Sequence, residues 1–121
     1  MTGFSFLGHL HEMMGGRLSC IIDANAVPVL PGAWEAADAC LYTAAGQRNR
    51  NHTGPFVRFV DVPFPMEEIL FDPQTSGGLL LAAAPQDADA LEAALQAAGL
   101  PAKIVGEITA KQEPEITVIY K

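Results

Sequence analysis

Apolar residues recur along this chain with two different periods, and the switches between them mark its elements. Phe4, Leu7, His11 and Met14 fall three and four apart, as on one side of a helix running from about Thr2 to Met14. Phe6, Leu10 and Met13 add a second stripe, so the spacing predicts a helix buried over much of its circumference. Thr2 is placed to cap it, and Gly15-Gly16 to end it. Gly8, in mid-helix, costs about 1 kcal/mol relative to alanine, which implies close approach by another element. Leu18 to Ile22 reads as a strand. Pro28 and Pro31 bracket a loop, and Gly32 leads into a second helix through about Leu41, with Trp34, Ala37 and Leu41 inward. Ala45 to Pro55 has no apolar period and reads as a polar, irregular loop, followed by a short edge strand at Phe56 to Val60.

The second half repeats these signals. Met66 to Phe71 reads as a short helix. Leu79 to Ala84 is continuously apolar, as expected of a strand covered on both faces. Asp87 or Asp89 is expected to cap the next helix, which ends at Gly99 with Pro101 behind it and turns Leu91, Ala94, Leu95 and Ala98 inward. Ile104 to Thr109 and Ile116 to Tyr120 are the final strands. Helices and strands are mixed throughout, which predicts an α+β fold: a mixed β-sheet of about four main strands with helices packed on it.

Residues 1–121 make one domain, and with 50% hydrophobic and 17% charged residues the chain can form a real core. The net charge of −7 changes the functional picture. Arg48 and Arg50 are the only close positive pair, so neither nucleic acid nor an anionic membrane surface is an expected partner. No apolar run approaches the roughly 20 residues of a membrane helix. The start of the chain shows no basic region followed by a long apolar one, and a reduced, cytoplasmic setting is expected. Cys20 and Cys40 lack zinc-ligand spacing and read as buried small hydrophobes.

Two segments carry candidate chemistry. In Phe71-Asp72-Pro73-Gln74-Thr75-Ser76-Gly77-Gly78, Pro73 fixes its own φ and keeps Asp72 out of the helical region. The glycines permit a tight reversal that presents the hydroxyls of Thr75 and Ser76. It is not a phosphate-binding P-loop, because no lysine follows the glycines and the loop precedes the expected strand. It is read either as a structural turn feeding a buried strand or as a loop placing polar groups beside a ligand; no Gly-x-Ser-x-Gly elbow supports a serine nucleophile. The other segment is Thr2-Gly3-Phe4-Ser5-Phe6-Leu7-Gly8-His9-Leu10-His11-Glu12-Met13. Here His9 reads as a packed, hydrogen-bonded histidine, His11 as an ordinary helix position and Glu12 as solvated.

Together these segments resemble two motifs of selenophosphate synthetases (selenide, water dikinases). One is Asp-Val-Thr-Gly-Phe-Gly-x-x-Gly-His-Leu-x-Glu-Met. The other, Asp-Pro-Gln-Thr-Ser-Gly-Gly-Leu-Leu, is matched residue for residue from Asp72 to Leu80. The resemblance covers the chain end to end, as the C-terminal half of such a protein and with a fold like the C-terminal domain of aminoimidazole ribonucleotide (AIR) synthetase. It implies a reaction that takes ATP, selenide and water to selenophosphate, AMP and phosphate, with magnesium as the metal. It implies that Thr2, Gly3 and Phe4 lie at the floor of the nucleotide–metal cleft, that Asp72, Thr75 and Ser76 lie on a loop facing it, and that Arg50 and Asn51 match an Arg-Asn pair in a family loop. Asp72 is expected to accept N–H bonds from its own turn. Ser5 departs from the motif's glycine. Met1 stands at the motif's valine, so the preceding metal-binding aspartate is missing. The family's nucleophilic cysteine or selenocysteine and its other metal carboxylates lie in the absent half.

The resemblance therefore implies no catalytic residue, no metal ligand and no tightly bound ATP or magnesium in this chain alone, and an N-terminal ATP-binding domain as its partner. Phe4, Phe6 and Leu7 are expected to be exposed where that partner docks, giving a tendency to form homo-oligomers. The alternative is a stand-alone, non-enzymatic module binding a nucleotide or a protein.

Overall fold

The computed structural model describes residues 1–121. Its elements follow in order as α1 (Ser5–Met14), β1 (Leu18–Asp23), α2 (Ala33–Asp38), α3 (Ala44–Thr53), β2 (Val57–Val60), α4 (Phe64–Phe71), α5 (Pro85–Ala97), β3 (Gly106–Ala110) and β4 (Ile116–Ile119). Single 3-10 turns follow β1 and α3. The strands form one 4-stranded mixed sheet in the order β2-β4-β1-β3. β4 runs parallel to both of its neighbours, and β3 runs antiparallel to β1. This is the expected α+β architecture, and β2 is the expected edge strand.

Register explains where the core sits. Val57 lies opposite Ile116, and Ile116 opposite Cys20. Two residues on, Phe59, Val118 and Ile22 form the next row. Alternation puts both rows on one face of the sheet. Phe6, Leu7, Leu10 and Met14 of α1 pack on that face with Met66, Leu70 and Phe71 of α4. Phe6 and Leu7 are therefore core, not docking surface; of the three residues expected to be exposed, only Phe4 is. β3 and β4 follow each other in sequence but lie on opposite sides of β1. Their connection is held across the end of β1 by Ser19, whose Oγ accepts the Gln112 N–H at 2.7 Å.

Several expected elements differ, among them α2, which stops at Asp38 and leaves Leu41, expected to face inward, 74% exposed. Ala45 to Pro55, read as an irregular loop, is mostly the helix α3, capped by Thr43 Oγ1 accepting the Gly46 N–H at 3.0 Å. Only Gly46 and Thr53 of α3 are buried, so no apolar stripe announces it. Leu79 to Ala84 is not a strand: no strand pairs with it, and Leu79 is 85% exposed. Its apolar run found no ladder partner in the four-stranded sheet. α5 begins at Pro85 with Ala84 as its cap position, because proline is suited to the first helical turn; neither Asp87 nor Asp89 caps it. α5 buries no residue, so its expected stripe reaches no core. Cys40, expected to be buried, is exposed in a left-handed turn after α2 (φ 61°), while Cys20 is buried in β1.

Candidate functional site at the meeting of the two motifs

α1 does not begin at Thr2. Its cap position is Phe4, without a side-chain cap, and Thr2 lies in the turn before it. Thr2 Oγ1 accepts the Phe4 N–H at 3.3 Å and sits 2.8 Å from His9 Nε2. Ser5, the departure from the motif's glycine, is fully buried with φ 72°, the left-handed region that favours glycine. Its Oγ accepts the Gly8 N–H at 3.3 Å.

The second motif comes to the same place. α4 ends at Phe71, and the chain turns out through Asp72 in an extended conformation, as the following proline demands. The Gln74 N–H donates to the Thr2 carbonyl at 2.9 Å. Gly77 closes a turn onto the Gln74 carbonyl at 3.0 Å, with Ser76 at positive φ (58°) in its third position. A Cβ on Gly77 would fall 2.8 Å from Gln74 O and 2.9 Å from Met1 Cβ, so the two segments need the glycine to pack.

Asn49 of α3 joins them. Its Nδ2 donates to the Gly3 carbonyl at 3.0 Å and to the Phe71 carbonyl at 2.9 Å. Gly3, Phe4, Ala45, Arg48, Asn49 and His52 line a shallow groove beside this junction. A second groove is lined by Met1, His9, Glu12, Met13, Leu79 and Leu80.

Thr2, Gly3, Phe4 and Asp72 therefore gather at one edge of the domain, with Thr75 and Ser76 exposed on the adjoining turn. Asp72 accepts no hydrogen bond from its turn, contrary to expectation; burial alone pushes its carboxyl above the ordinary value of 3.8. Arg50 and Asn51 stand apart. The Arg50 guanidinium reaches Glu67 at 3.0 Å and Glu68 at 2.5 Å, and lies over the rings of Phe71 and Phe64. It ties α3 to α4 and is occupied within the domain. Asn51 is exposed on α3.

Sequence reasoning undervalued His11, whereas His9 is hydrogen-bonded and half-buried as expected. His11 Nδ1 lies 2.7 Å from Glu115 Oε1, and its ring stacks on Phe56 at 4.2 Å. Glu115 is only 3% exposed and also meets Lys111 Nζ at 3.4 Å. Nothing local in the sequence links residues so far apart. His9 has a partner on each ring nitrogen, Thr2 on Nε2 and Glu12 on Nδ1 at 3.0 Å. The spacing of His9 and Glu12, i and i+3 on a helix, was the available signal.

Residues 1–119 match the family model described as AIR synthase related protein, C-terminal domain. A selenide, water dikinase of Agathobacter rectalis is 52% identical over 98% of this chain and 35% of its own length. The Pelobacter propionicus protein of that name is 45% identical over 98% of this chain, and one from Desulfitobacterium hafniense 43% over 93%. The chain spans about one third of the length of these curated relatives. It belongs to the AIR synthase related C-terminal domain family, and within it to the kind of domain found in selenide, water dikinases.

Proposed function

We propose that this chain is the C-terminal domain of an ATP-dependent selenophosphate synthetase, a cytoplasmic enzyme converting ATP, selenide and water to selenophosphate, AMP and phosphate. One observation carries the reading beyond similarity. The two motifs are far apart in sequence, yet they meet through the Gln74–Thr2 bond and the two-handed grip of Asn49. An edge that gathers backbone, a carboxyl group and hydroxyls suits a wall of a nucleotide cleft, where catalysis of phosphoryl transfer is mainly positioning and charge neutralisation.

Three histidine, cysteine or carboxylate side chains do not converge anywhere in the structure, and the magnesium such a reaction uses is commonly held by one or two carboxylates together with substrate phosphates, which the N-terminal part would supply. The domain's share is to shape the cleft with Thr2, Gly3 and Phe4 and to present Asp72, Thr75 and Ser76 from the adjoining loop. An N-terminal domain holding ATP and the metal covers the apolar edge where Phe4 is 68% exposed beside His9, with Leu79 on the neighbouring groove.

The chain alone, incubated with ATP, magnesium and selenide, is expected to form no AMP above background. Joined to the N-terminal two-thirds of the Agathobacter rectalis relative, it is expected to form AMP and selenophosphate. Turnover by the chain alone, or a well-folded joined protein without AMP formation, would overturn the reading.

A further inference from the structure

Glu12, His9 and Thr2 form a line of carboxylate, imidazole and hydroxyl. Glu12 Oε1 is 3.0 Å from His9 Nδ1, and His9 Nε2 is 2.8 Å from Thr2 Oγ1. For a neutral imidazole, the partners on the two ring nitrogens assign the proton positions. An ionised carboxylate only accepts, so Nδ1 of the neutral ring carries the hydrogen and Nε2 is bare. The Thr2 hydroxyl must then donate to Nε2. One lone pair of Thr2 Oγ1 faces the Phe4 N–H at 3.3 Å, and no protein group besides this N–H and His9 hydrogen-bonds the oxygen. His9 is half-buried, with the Phe4 ring edge-on at 6.2 Å, which restricts the imidazole's swing.

A hydroxyl hydrogen-bonded to an imidazole that is itself oriented by a carboxylate is the arrangement that lets the hydroxyl hand its proton to the ring, and a hydroxyl that gives up one proton can accept another from a neighbouring water. We infer that Thr2, His9 and Glu12 are a proton relay for the water-consuming step of the reaction. The inference rests on the synthetase reading above, and it deepens it. The water oxygen forms a new bond to phosphorus, the bridging P–O bond breaks, and its electron pair leaves on the departing phosphate oxygen. One water proton passes to Thr2 Oγ1 as the Thr2 proton passes to His9 Nε2, and Glu12 stabilises the imidazolium. Thr2 touches the water; His9 and Glu12 are positioning residues acting through it.

The relay is tested first in the chain as it stands, by long-range proton–nitrogen NMR of His9 above pH 8. The Nδ1–H form is expected, persisting in Thr2→Val and mixing with the other tautomer in Glu12→Gln. An Nε2–H ring in the unaltered chain overturns the relay.

The second measurement uses the joined full-length enzyme. Thr2→Val and His9→Asn should each lower kcat for AMP formation by about 100-fold, at the lower end of general acid–base contributions. KM for ATP should stay within about twofold, and Thr2→Ser should retain activity. His9→Asn with unchanged kcat and pH profile overturns the relay alone. An unaltered joined enzyme that folds but forms no AMP overturns the synthetase reading, and with it the water-directed role.

Discussion

Replacing Gly106 by alanine tests the sheet on which this domain is built. Gly106 pairs with Ile22 across the β1–β3 ladder. A Cβ there would lie 2.2 Å from the Ile21 carbonyl oxygen, 2.8 Å from Ile22 Cδ1 and 3.0 Å from Ile22 Cα. The Ile22 methyl can swing aside. The Ile21 carbonyl cannot, because β1 is held on its other side by β4. The nearest contact is short of ordinary van der Waals distance by about 1 Å, so β3 has to retreat. Retreat breaks the bond from the Asp23 N–H to the Val105 carbonyl at 2.8 Å, worth about 0.5–1.5 kcal/mol net. Overpacking strain adds about 1–3 kcal/mol. The expected loss is about 2–4 kcal/mol, a large share of the roughly 5–15 kcal/mol that holds a domain folded. Urea unfolding followed by circular dichroism measures it, and amide exchange should speed up first at the β1–β3 pairs. Gly78→Ala is the control: its Cβ meets nothing within 4 Å, so the change should stay within about 0.5 kcal/mol. Equal stability of the two variants would refute the close approach of β3.

Three further outcomes follow from groups described above. Arg50→Met should cost about 3–5 kcal/mol, because it strands the buried Glu68 carboxylate, and adding Glu68→Met should restore most of it; a harmless single change would show that the pair does not brace α3 against α4. Burial raises the Asp72 pKa, so the folded state binds that proton more tightly than the unfolded one, and the resulting stability fades as pH climbs above 3.8. Asp72→Asn should therefore be the more stable protein at pH 7, with the gap closing as pH falls towards 3.8; a gap independent of pH would exclude burial as the cause. Burial, and after it the Glu115 charge, push the Cys20 thiol up to about 11, so iodoacetamide at pH 8 should label exposed Cys40 and spare Cys20 until the chain unfolds; early labelling of Cys20 would contradict its placement.

The strands were legible because each carries its own signal. β1, β2, β3 and β4 all lie within or beside the apolar runs that predict them. The motif residues were legible too, since Thr2–Phe4 and Asp72–Ser76 stand in unusual local sequence. What failed needed partners. α3 looks like a loop because its stabilisers are a Thr43 cap, an Asn49 side chain and an Arg50 ion pair, all polar. Leu79–Ala84 looks like a strand because composition cannot show whether a neighbouring strand is available. His11 looked ordinary because its partners, Phe56 and Glu115, become neighbours only through the fold.

One amide group closes the circle around the two motifs. Asn49 spends one proton of its Nδ2 on Gly3 and the other on Phe71, leaving no spare donor for adjustment. A shift that lengthens one of these bonds pulls on the other through the same nitrogen. The two segments therefore move as a unit, and whatever orders one will stiffen the other. Losing this single side chain would loosen both walls at once.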